Sequence, residues 1–210
     1  MRVIAHILLS RPPDEYMRLL IETARVIPAK GEFMTAQLCS RLVRYKQWAD
    51  SGLNEVVAAN LDKVDARDGA ILLRILDHIH AVDRIFQHHL LELPHSFAAP
   101  RSEAAPAFRE LARGMKELDD WYVSYVDALP EDDFEQPIDF VFTSGRPARM
   151  RRDEIILHVC LHGTYHRGNA GIILQRNGIA PNDDRMTDFL EEQGAVYFGG
   201  AVQVPDRREA

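Results

Sequence analysis

The stretch Phe108-Arg-Glu-Leu111-Ala-Arg-Gly-Met115-Lys-Glu-Leu118-Asp-Asp-Trp-Tyr122-Val-Ser-Tyr125-Val-Asp-Ala-Leu129 decides the fold. Its apolar residues Phe108, Leu111, Met115, Leu118, Tyr122, Tyr125 and Leu129 recur at spacings that alternate three and four without a break. A helix turns about 100° per residue, so this spacing draws one continuous apolar stripe along one face. Such a stripe is the seam of a helix that packs inside a bundle.

The same rhythm appears on either side. From Thr35 to about Leu61, Leu38, Leu42, Tyr45, Ala49, Leu53 and Val56 predict one helix. From about Ala70 to Leu91, Leu72, Ile75, Ile79, Val82 and Phe86 predict another, with Asp68 as its N-cap. The segment Leu93 to Pro106 carries three prolines and reads as a connection. Between Pro130 and Arg151 the rhythm changes. Ile138, Phe140 and Phe142 alternate with Asp139 and Val141, and Ser144-Gly145 supplies a turn, the pattern of a short hairpin. A fourth long helix spans about Asp153 to Arg176 and stops at Asn177-Gly178. A short helical stretch follows over Met186 to Glu192.

Four long amphipathic helices predict an all-α domain, an up-down four-helix bundle. We assign it residues 34–192. Residues 1–33, with Pro12, Pro13, Pro28 and one short helix over Asp14 to Val26, form an N-terminal extension. It either packs loosely or reflects a reading-frame start placed ahead of Met34. Residues 193–210 are read as a flexible C-terminal tail.

The totals exclude several classes. The 210 residues suffice for one well-buried domain. A net charge of −7 argues against a nucleic-acid backbone as the main partner, because that surface demands a basic protein. No stretch approaches the ~18 apolar residues of a membrane span. We read no signal peptide in the apolar start Val3 to Leu9, and expect a cytoplasmic protein. The two cysteines, Cys39 and Cys160, fall in separate helices and are expected to be buried reduced thiols.

The chemistry is carried by histidine. His158, His162 and His166 stand four apart on the fourth helix. Positions four apart lie roughly 40° apart on one face, so two of these imidazoles can chelate one divalent ion. Their face continues to Ile155 and Ile173 and points inward, and Gly163 and Ala170 leave room beside it. Cys160 points away from it. On the second helix His78 has Ile75, Ala81 and Val82 as neighbours, whereas His80 lies nearer the solvent side, among Asp77, Asp83 and Arg84. His78 is thus the better inward ligand. His6, His88, His89 and His95 read as surface or packing residues. Spacing alone does not set His158 apart from its two neighbours. It does exclude a Cys₂His₂ zinc site and a carboxylate-bridged di-iron site, for want of suitably placed cysteines and glutamates.

At these residues the sequence resembles the DinB-like family of small metal-binding four-helix bundles. Gln47-Trp48-Ala49-Asp50 resembles that family's tryptophan-bearing first helix, and Asp77 to Phe86 its second-helix histidine motif. His158 to Asn169 is similar to its fourth-helix motif. Gly178-Ile179-Ala180-Pro181 and Thr187-Asp188-Phe189-Leu190 resemble its closing segment. The resemblance spans Met34 to Leu190. Asn169 stands where the family usually has glutamine, and Tyr165 where a further histidine is common.

This resemblance implies a metal held by His78, His162 and His166. Zinc suits three neutral imidazoles best, and nickel is admitted. It further implies a metal-dependent transferase that activates a low-molecular-weight thiol for attack on an electrophile. A metal-hydroxide hydrolase and a non-enzymatic, metal-stabilised stress-response module are the alternatives. The resemblance also implies a homodimer, for which the aromatic third helix, with Trp121, Tyr122 and Tyr125, either supplies an interface or fills the core. Arg167 is expected to form a structural ion pair with Asp83 or Asp77.

Overall fold

The computed structural model describes residues 32–194. Four long helices dominate: α1 over Glu32–Asn60, α2 over Ala66–Leu90, α3 over Phe108–Ala128 and α4 over Arg152–Arg176. A hairpin of β1, Pro137–Val141, and β2, Pro147–Arg151, joins α3 to α4. A short α5, Met186–Glu192, follows α4. No helix of the described residues is long and apolar enough to cross a membrane. The expected all-α bundle is therefore what forms.

The contacts give the direction of each helix. Arg44 and Gln47 of α1 bond Asp127 and Asp120 of α3, so these two run antiparallel. Lys46 meets Gly163, and Asp50 meets Arg167, so α1 and α4 run parallel. His80 of α2 lies on Gly114 of α3, and further along Tyr122 donates its hydroxyl to the Asp83 carbonyl, so α2 and α3 run parallel. The bundle thus runs up, down, down, up, and not in the alternating up-down order expected. Helices α1 and α2 occupy opposite corners, each packed against both α3 and α4. The long connection allows the repeated direction. Residues Leu91–Ala107 can extend over roughly 55 Å, against about 30 Å for a helix the length of α3.

Local chemistry ends each element. The N-cap of α2 is Asp65, whose carboxylate accepts the Arg67 N–H, and not Asp68 as expected. Asp68 instead accepts from the Asn177 side chain at the far end of α4. The reason is that α2 starts four residues earlier, at Ala66, which carries Asp68 into its first turn. At the end of α4, Gly178 takes φ +72°, and Ile179 N–H returns to the Leu174 carbonyl. In β1, Ile138 and Phe140 are buried while Pro137, Asp139 and Val141 face out.

The core has two apolar halves. One gathers Val43, Phe86, Tyr122, Ile138, Ile155 and Val159 at the hairpin end. The other gathers Leu53, Leu72, Ile79, Leu111, Ile173 and Leu174 at the opposite end. Tyr122 therefore fills the core, and Trp121 and Tyr125 pack beside it as a stacked pair. Cys39 and Cys160 are both buried free thiols, and burial first, then nearby carboxylates, pushes the Cys39 thiol up to about 12.

Between the two halves lies a charged layer. Lys46, Asp50, Asp83, Asp119 and Arg167, drawn from all four long helices, are each buried. This layer shifts the inward face of α1. The expected stripe began at Leu38 and Leu42, but Leu38 is 58% exposed. The buried line runs Cys39, Val43, Lys46, Asp50, Leu53 and Val57. Two charged residues interrupt it, so apolar periodicity alone selects the adjacent line.

Candidate metal centre

His78 on α2 and His162 and His166 on α4 converge where these antiparallel helices face each other. One nitrogen from each lies within 4.8 Å of the other two. The ring centroids are 4.9 Å apart for His78 and His162, and 4.5 Å for each of the other two pairs. Two imidazoles sharing one ion at ~2.05 Å, at a tetrahedral angle, place their centroids roughly 5 Å apart. The Nε2 atoms of His78 and His162 are 3.1 Å apart, near the ~3.3 Å edge of such a tetrahedron. All three side chains are partly exposed, so solvent reaches the cluster.

A second element orients His78. Its Nδ1 lies 2.6 Å from the Pro100 carbonyl. A carbonyl only accepts, so Nδ1 carries the proton and Nε2 presents its lone pair to the cluster. Pro100 belongs to the connection Leu91–Ala107, which lies along α2 as a strap. Asp77, fully buried, accepts the Ser102 N–H at 2.9 Å, and Arg74 donates to the Ser102 and Glu103 carbonyls. Further along, the Arg84 guanidinium covers the Phe97 ring.

The two rings on α4 resist protonation. Burial first, then the His166 and His78 rings, holds His162 down to about 3, and burial and His78 lower His166. The lone pairs of His162 and His166 are therefore free at neutral pH. His162 Nδ1 is buried and has no hydrogen-bond partner among the described residues. Three converging imidazole nitrogens fit a divalent metal. The cluster can hold such an ion.

The structure separates the remaining histidines. His158 packs on Phe86 with its ring tilted by 54°, its centroid 5.7 Å from that of His162, and is not part of the three-nitrogen group. His80 does not sit on the solvent side. It packs over Gly114 of α3, where a Cβ would stand 2.6 Å from its Nε2. The missing side chain at Gly114 lets α3 cover that face. His89 is buried, His88 and His95 are partly exposed, and His6 lies outside the described residues.

A second group of possible ligands, Asp50, Asp83 and Asp119, is already filled by an ammonium. Lys46 Nζ lies 2.7, 2.7 and 2.5 Å from these three carboxylates. Burial opposes the lysine charge, but the three carboxylates outweigh it and hold its pKa well above the ordinary range. Burial pushes Asp83 up to about 6 and Asp119 well above its usual value, against the pull of Lys46. Arg167 does not pair with Asp83 or Asp77. It reaches Asp50 at 2.9 Å and holds Asp184 through Nε at 2.7 Å and Nη2 at 3.1 Å. The reason is the segment after α4, which folds back and places Asp184 beside Arg167 and the Tyr45 hydroxyl. Gly163, expected to leave room for a neighbouring helix or an ion, admits the neighbouring helix: the Lys46 stem of α1 lies against it, beside Arg167.

Sequence reading missed the Pro100 carbonyl, the Asp77 anchor and the charged layer. Asp83 carried a signal, since it interrupts the buried line of Leu76, Ile79, Phe86 and Leu90 on α2. A backbone carbonyl on a strap carries none.

Neither a curated protein nor a solved structure matches the chain significantly. The profile of the DinB family matches residues 34–200, a range that holds all four long helices but for the first two residues of α1, together with the three converging histidines, and the chain therefore belongs to the DinB family.

Proposed function

We propose that His78, His162 and His166 bind one divalent metal ion, zinc most readily and nickel as the second choice, and that the protein is a metal-dependent transferase acting with a small thiol. The observation that carries this reading is the convergence of three imidazoles, all partly exposed, without a carboxylate among them. A divalent ion held there supplies Lewis acidity, which favours the deprotonated form of a thiol or water that reaches it.

The chain supplies the rest. Three neutral ligands leave the ion's double charge uncompensated, which favours an anionic thiolate over a neutral ligand. The Pro100 carbonyl holds His78 in one tautomer, and orienting partners of this kind raise ligand basicity. Tyr165 is 69% exposed and packs its ring edge-on against His166, and we assign it no catalytic role. Arg167 is consumed by Asp50 and Asp184, so it positions α4 and does not contact substrate. The protein partner in this reading is a second copy of the chain, as a cytoplasmic homodimer.

Turnover of a panel of electrophiles with low-molecular-weight thiols tests the proposal. Zinc-loaded protein should turn over in a thiol-dependent manner, and His162→Ala/His166→Ala should lose that activity at least a hundredfold. Equal turnover by the double variant would reject it, and turnover without any thiol would replace it with the hydrolase.

A further inference from the structure

A second pair of histidines lies at the hairpin end of the bundle, apart from the three on α2 and α4. His89 is in the last turn of α2 and His95 is on the strap. Both line a cavity of about 690 Å³ whose other walls include Leu93, Phe97, Phe140 and Phe142. The two rings meet edge to face with centroids 5.1 Å apart.

Three observations set this pair apart from ordinary packing. First, His89 Nε2 and His95 Nδ1 are both buried and neither has a hydrogen-bond partner among the described residues. A buried polar atom without a partner is costly, and two such atoms on neighbouring rings point to something that both would bond. Second, their centroid spacing is the roughly 5 Å that two imidazoles show when they share one ion. It falls close to the spacings of the histidine cluster on α2 and α4. Third, both rings are held in place. His89 is 6% exposed and stacks on Phe140 at 4.3 Å. His95 packs against Phe97 at 5.8 Å. Burial first, and then the neighbouring imidazoles, lowers both pKa values, that of His89 to about 4, so both rings offer lone pairs at neutral pH.

We propose that His89 and His95 form a second, two-histidine site for a divalent transition-metal ion, bound through His89 Nε2 and His95 Nδ1. Two ring nitrogens with the remaining positions open to water suit copper(II) best, then nickel(II) and zinc(II), following the general order of affinity for nitrogen ligands. His88 is not a ligand. Its ring lies 6.2 Å from that of His95, outside the shared-ion spacing, and its Nδ1 is 2.8 Å from the Arg84 carbonyl. Asp139 and Glu92, which also line the cavity, are taken up by Arg149 and Arg152.

The test uses the full chain, stripped of metal and carrying His162→Ala/His166→Ala, so that the outcome does not depend on the first site. Titration with copper(II) should show one equivalent bound, and its electron paramagnetic resonance spectrum should show coupling to two nitrogens. Adding His95→Ala should weaken that binding at least tenfold. His89→Phe, which keeps the stack on Phe140, should do the same. His95 lies outside the long helices, so its variant reports even if His89→Phe fails to fold. Absence of the bound equivalent, or equal binding after His95→Ala, would overturn the proposal.

Discussion

Lys46 is the residue on which most of the interior converges. Its ammonium is the common partner of Asp50, Asp83 and Asp119, and it is 1% exposed. Removing one member of a buried charge network costs far more than the network's net worth, because the others keep their desolvation penalty. Lys46→Ala should therefore lose about 3–5 kcal/mol in urea unfolding at pH 7. A loss under about 1 kcal/mol would mean that the layer is wet or already neutral. His89 gives a pH signature in the metal-free protein. Its folded pKa, about 4, lies below the ordinary 6.5. Between those values the unfolded chain binds a proton that the folded chain refuses. The stability tied to His89 is thus complete above pH 6.5 and is lost as the pH falls towards 4. Asp83, pushed up to about 6, acts in the opposite sense between the ordinary carboxylate value of 3.8 and that figure, so the comparison must be with a variant. His89→Phe should lose roughly 2 kcal/mol less than the parent between pH 7 and 4, after allowance for partial solvation. Parallel stability curves for parent and variant would contradict this.

The strap Leu91–Ala107 links the fold to the site. It lets α3 repeat the direction of α2, and it brings the Pro100 carbonyl to His78. Asp77 ties it down through the Ser102 N–H. Asp77→Ala should leave the four long helices folded but free the strap, and partners that orient a metal ligand typically account for 10–100-fold in affinity. A zinc affinity within threefold of the parent would show that the strap does not orient His78. Much at this scale was legible in the sequence. The α3 stripe, the hairpin, the stop of α4 at Asn177-Gly178 and the bounds of α5 all follow from periodicity and terminal residues. The line of α1 did not, because Lys46 and Asp50 occupy buried positions that an apolar pattern treats as outward. The N-cap of α2 moved from Asp68 to Asp65 for a related reason: both aspartates precede the apolar run, and only the position of the first turn distinguishes them. Arg167 was rightly expected to pair structurally, but its partner Asp184 lies on a return segment whose path no local spacing encodes.

At the scale of the whole molecule, two apolar halves sandwich a charged layer, and the histidine cluster opens beside α2 and α4. The histidines were legible because a helical repeat of four and an apolar flank are both written in sequence. Spacing left His158 open beside His162 and His166; the family resemblance pointed to His78, His162 and His166, and the packing of His158 on Phe86 sets it apart in the fold. The central claim is that these three side chains hold a metal. Elemental analysis of untagged protein by inductively coupled plasma mass spectrometry, loaded with zinc and then freed of excess, tests it most directly. The parent should carry about one more zinc per chain than His162→Ala/His166→Ala. Equal metal content in the two proteins would contradict the account and leave the three imidazoles as packing residues.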